Sequence, residues 1–115
     1  MEKYEDEFEL IVSHTTRPQR EGESEGVDYF FVSEVDFEER QKREEFLEFT
    51  LYNGNLYGTC CEEVQKVLGE EKFPLLDLDL NGVLSAFNLL GKQNFFGVWI
   101  DAPEKKVLLE RLSLR

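Results

Sequence analysis

An α/β layered fold is what this sequence predicts, and three observations carry the prediction. Short apolar, β-rich runs alternate with stretches of helical periodicity along the chain. Asn53-Gly54 stands between two β-rich runs as a two-residue hairpin turn. Phe95 to Ile100 is a continuous apolar run of the kind buried between layers. At 115 residues the chain is one domain's worth, 1–115, with core strands expected over 9–13, 74–80 and 95–100 and a smaller mixed-β lobe over 29–59.

The elements follow in order. Glu9 to Ser13 is a short apolar run ending in polar residues, a buried strand, and His14 to Asp28 has the Gly, Pro and charge content of a loop. Tyr29 to Val32 is β-rich. Ser33, with Asp36 three residues on, is an N-cap signal, so Val35 to Glu45 reads as a charged surface helix anchored by Phe37. Phe46 to Tyr52 and Leu56 to Gly58 are the arms of the hairpin. Cys61 to Glu71 places Val64, Val67 and Leu68 on one helical face. Pro74 to Leu80 reads as a strand whose two-residue period projects Asp77 and Asp79 from the same side. Asn81 to Gly91 is a helix with Gly91 near its C-terminus, and Pro103 opens a final helix with Val107, Leu108 and Leu112 facing inward. The sequence holds no internal repeat and no low-complexity linker.

Composition narrows the function classes. A hydrophobic fraction of 41% with 33% charged residues is ordinary for a soluble globular chain. No run of about 18 apolar residues exists to span a membrane, and the acidic N-terminal segment is no signal peptide, so the cytoplasm is the expected location. The formal charge of -12 and the 25 carboxylates would repel a phosphate backbone, which argues against nucleic acid as a partner. Cys60 and Cys61 are neighbours, a spacing that strains a disulfide, and reduced thiols are expected. A single histidine and no third thiol argue against a zinc site.

Against that acidic background, Arg17 and Arg20 place two guanidiniums on one Pro-containing loop. Arginine's planar fork grips phosphate bidentately, so a small anionic ligand is expected there. Taken alone, both read sooner as surface arginines paired with Glu21 or Glu23, and Glu48 as a solvated strand carboxylate.

Four ordered blocks carry a resemblance to a known family. The first is Ser13-His14-Thr15-Thr16-Arg17-Pro18-Gln19-Arg20 together with Gly26-Val27-Asp28-Tyr29-Phe30-Phe31. The other three are Phe46-Leu47-Glu48, Gly54-Asn55-Leu56-Tyr57-Gly58-Thr59 and Leu75-Leu76-Asp77-Leu78-Asp79-Leu80-Asn81-Gly82. Together, at these separations, they resemble guanylate kinase, from about Phe8 to Arg115.

The resemblance implies an incomplete parallel-sheet phosphate-loop kinase core, with the 29–59 lobe binding GMP. It implies that Glu48 accepts from the guanine N1–H and N2 amine, with Ser13, Thr59 and Asp79 completing the base pocket. Arg17, Arg20, Tyr29 and Tyr57 would hold the phosphate. Asp77 would orient the nucleotide phosphates and, through water, Mg2+ brought with ATP as phosphoryl donor. Arg115 falls where a lid arginine would begin, with Leu114 where many members have glycine.

The Gly-x-x-Gly-x-Gly-Lys loop that opens this family does not occur in the sequence, and neither do the lid and final helices. The chain is therefore expected to keep the GMP site without turnover, and to self-associate through unpaired sheet edges. The alternative is a non-catalytic guanylate kinase-like interaction domain binding phosphopeptides.

Overall fold

The computed structural model describes residues 6–91 and, beyond them, residues 93, 96–98, 106, 110 and 111. Its elements are β1 (Phe8–Leu10), β2 (His14–Thr15), β3 (Phe30–Phe31), α1 (Glu34–Lys42), β4 (Phe46–Tyr52), β5 (Asn55–Cys60), α2 (Cys61–Gly69), β6 (Phe73–Leu75) and α3 (Leu80–Leu90). They make two sheets. β1 pairs with β6 in parallel, and β3-β2-β5-β4 form a mixed four-stranded sheet in that order. Helices and parallel pairing together give the α/β class the sequence predicts.

Local chemistry accounts for the lobe. The Ser33 hydroxyl accepts the Asp36 amide at 3.1 Å and caps α1, while Phe37, fully buried, stacks on Phe46 at 4.4 Å. Asn53 and Gly54 both adopt positive φ, 50° and 77°, the geometry of a tight turn matched to strand twist. Gly58 has a spatial reason instead, since a Cβ there would lie 2.9 Å from the Phe46 ring.

Two apolar clusters flank the mixed sheet. Phe37, Phe46 and Cys60 gather on the α1 side, with Val32 and Leu56 against them. Ile11, Leu47, Val64, Val67 and Ala86 gather beneath α2 and α3, with Leu76 and Leu78 packed alongside. Cys60 and Cys61 are free thiols, and burial pushes Cys60 up to about 11, which leaves it protonated and inert.

Several expectations are corrected. The strand expected over 9–13 is β1 and ends at Leu10, while the stretch from His14 read as loop opens with β2, which belongs to the other sheet. The strand expected over 74–80 ends at Leu75, since Asp79 starts α3 by accepting the Gly82 amide with its side chain. Leu68 is 55% exposed, because α2 turns Val64 and Val67, with Cys61 beside them, to the core. Of the strand expected over 95–100 only residues 96–98 are described; Phe96 and Val98 there are 93% and 78% exposed, and the rest lies outside the described residues. The inward residues of the last helix, Val107, Leu108 and Leu112, lie outside the described residues, as does Arg115. Among the described residues no helix is long and apolar enough to cross a membrane.

Candidate functional site

The site is built on a break in the β4–β5 ladder. Phe46 pairs with Cys60 and Glu48 with Thr59, so Leu47 is an extra residue on β4. The bulge lets Leu47 join the cluster under α3 while Glu48 also turns toward the α3 side. Beyond it the two-residue period resumes, and Glu48, Thr50 and Tyr52 line the same cavity.

That cavity, about 370 Å³, lies between the two sheets. One wall comes from Leu10, Ile11 and Ser13 with Asp77, Leu78 and Asp79 of the segment entering α3. The other comes from β4 and β5 with Asp28 and Tyr29. Four of the described lining residues are acids, Asp28, Glu48, Asp77 and Asp79, and none of the described ones is Lys, Arg or His.

Glu48 is buried, and the Thr59 hydroxyl donates to its Oε1 at 2.7 Å. Burial pushes its carboxyl above the ordinary value; the Thr59 hydroxyl opposes this, the Asp79 charge adds to it, and the Thr59 amide opposes it further. Asp79 itself accepts the Gly82 amide at 2.7 Å, so it both lines the cavity and caps α3. Asp77 is exposed at the cavity wall.

The arginines sit differently from the expectation that four donors converge. Arg17 is buried, and its fork donates to both Glu23 oxygens, at 2.9 and 2.8 Å. A carboxylate six residues along the same loop takes the place expected for phosphate. The pair holds Glu23 at about 2 and Arg17 above the usual arginine range. Arg17 lies over the Tyr29 ring at 5.2 Å, and Tyr29 and Tyr57 meet edge to face at 5.9 Å. Arg17, Tyr29 and Tyr57 therefore cluster at one end of the cavity, although Arg17 does not line it. Arg20 is exposed and outside the lining, its backbone N–H donating to Glu23 at 2.8 Å.

Of the residues singled out from sequence, the cavity gathers Ser13, Tyr29, Glu48, Tyr57, Asp77 and Asp79, with Thr59 directly behind Glu48. Sequence reasoning missed Thr50 and Tyr52, although alternation from Glu48 along β4 would have found both. It also missed Asp28, whose carboxylate accepts the Ser24 amide at 2.7 Å.

Comparison with known proteins places this geometry. The family model for guanylate kinase matches residues 1–115. The guanylate kinase of Chlorobium chlorochromatii is 40% identical over 104 residues, which is 90% of this chain and 54% of that protein. That of Chlamydia trachomatis serovar D is 40% identical over 113 residues, 98% of this chain and 54% of that one. Among solved structures, the guanylate kinase from Anaplasma phagocytophilum superposes with a TM-score of 0.67 at 29% identity, covering 77% of this chain and 47% of that one. The chain thus spans about half the length of the curated relatives it matches. With the family model matched from end to end and the fold shared, this chain belongs to the guanylate kinase family.

Proposed function

We propose that this chain forms the GMP-binding part of an enzyme that phosphorylates GMP to GDP, with Glu48 reading the base. The observation that carries the reading is a buried carboxylate in a cavity wall with no cationic side chain among the described lining residues. Such a group is costly unless donors reach it, and Thr59 supplies only part of what it needs. Guanine presents N1–H and an N2 amine side by side, whereas adenine presents an acceptor at N1. Guanine satisfies Glu48, and adenine sets a lone pair against it.

The four acids also orient the ligand. A dianionic phosphate is repelled from a cavity holding Asp28, Glu48, Asp77 and Asp79, so the phosphate lies at the end where Tyr29 and Tyr57 meet Arg17. There it displaces Glu23 from a guanidinium fork already oriented by that carboxylate. Arg20, on the same loop, adds charge from outside.

The described residues include no group of three or more His, Cys, Asp or Glu side chains that could hold a metal ion. Mg2+ would therefore arrive with ATP, the chain's contribution being a water-mediated contact from Asp77. When bound, Mg-ATP supplies the phosphoryl group and neutralises its charge. Its phosphate cradle is a Gly-x-x-Gly-x-Gly-Lys loop absent from these residues, so the 115 residues alone are expected to bind GMP without forming GDP.

Calorimetry and thermal shift with GMP, AMP and a phosphoserine peptide test the reading. GMP should bind and stabilise, AMP should do so far less, and Glu48→Gln should lose roughly ten- to a hundredfold in GMP affinity while AMP affinity rises, because the glutamine amide can donate to adenine N1. Equal stabilisation by AMP would sink the role of Glu48. Response to the peptide and not to GMP would instead make the chain a phosphopeptide-binding interaction domain.

A further inference from the structure

α3 packs across β4, and where its first turn reaches Glu48 it carries a glycine. A Cβ at Gly82 would lie 2.9 Å from Glu48 Oε2, 3.1 Å from Asp79 Oδ1 and 3.3 Å from Leu78 Cβ. Gly82 is buried and its φ is not among the positive ones, so the backbone does not demand glycine. Helix preference does not either, since alanine is the better helix former. What remains is space.

The helix start cannot easily yield that space, because the Gly82 amide is pinned by Asp79 Oδ1 at 2.7 Å. The group free to move is the end of the Glu48 side chain, and moving it breaks the 2.7 Å contact with Thr59. A methyl group at position 82 therefore leaves the fold standing and dislodges the carboxylate.

We propose that Gly82 determines specificity by position: the space left by its missing side chain is where the Glu48 carboxylate rests, so residue 82 sets guanine discrimination without touching the base. The inference rests on the reading of Glu48 given above. It requires that loss of selectivity in Gly82→Ala run entirely through Glu48.

The test uses the full chain as wild type, Gly82→Ala, Glu48→Gln and the double variant, with two readouts. One is the ligand-free pH titration of the Glu48 carboxyl carbon by NMR, and the other is the ratio of GMP to AMP affinity by calorimetry. Gly82→Ala should move the titration and lower the ratio at least tenfold, yet add nothing in the Glu48→Gln background. An unmoved titration overturns the proposal whatever the ligand does, and so do losses that add in the double variant, since α3 itself would then be the cause. Should Gly82→Ala fold poorly, Gly82→Ala with Glu48→Asp decides, because the shorter acid vacates the space. A pair as poorly folded as the single variant overturns the proposal. Wild-type protein that binds GMP and AMP alike would instead sink the functional reading, while the ligand-free titration still decides whether Gly82 positions Glu48.

Discussion

His14 shows how one side chain gives this fold a pH response. It is buried, stacks on Phe30 at 4.7 Å, and its Nδ1 has no hydrogen-bond partner among the described residues. Burial lowers its pKa below the ordinary 6.5, and Arg40 lowers it further against the smaller opposing pull of Asp36, Glu25 and Glu45. The folded state resists a proton that the unfolded chain accepts, so His14's contribution is complete above 6.5 and is lost as pH falls below it. It is the sole histidine in the sequence, and no other side chain ordinarily titrates in that window. Glu48, with its raised carboxyl, works in the opposite sense at lower pH, so a difference measurement isolates His14. Wild type should lose melting temperature between pH 7 and 5 relative to His14→Phe, which keeps the ring packing. Parallel curves for the two proteins would contradict the assignment.

At the scale of elements, the lobe depends on the ring stack between α1 and β4. Phe37→Ala opens a cavity in the cluster it shares with Phe46 and Cys60, and should cost about 3 to 5 kcal/mol in urea unfolding. A loss below about 1 kcal/mol would mean that α1 is not anchored there. This lobe was also the most legible part of the sequence, because local signals specify it. The Ser33 cap and the Asn53-Gly54 turn act over a few residues, and each has its own mechanism. What was not legible depends on partners distant in sequence. Nothing local says that β1 stops at Leu10 and that His14 and Thr15 join a different sheet, or that Asp79 leaves the strand to cap a helix. The site followed the same division. Alternation reaches Thr50 and Tyr52 from Glu48, and the sequence offers Glu21 or Glu23 to the loop arginines, but the choice of Glu23 for the fork of Arg17 is read from the fold.

For the whole molecule, the sheet of β1 and β6 is the weak side. Each strand is the other's sole partner among the described residues, and Leu10 and Phe73 are 58% and 64% exposed. Unpaired edges with apolar side chains invite a second chain, so sedimentation at rising concentration should show self-association. A single monomeric boundary at all concentrations would contradict it. The cavity runs along the seam between this weak sheet and the better-packed one, and its walls are drawn from both. Whatever lodges there adds a second fastening to two halves already joined beneath α2 and α3 by the cluster of Ile11, Leu47, Val64, Val67 and Ala86. Occupancy and rigidity thus become a single quantity, and the nucleotide proposed for this cavity would also complete the chain as a mechanical body.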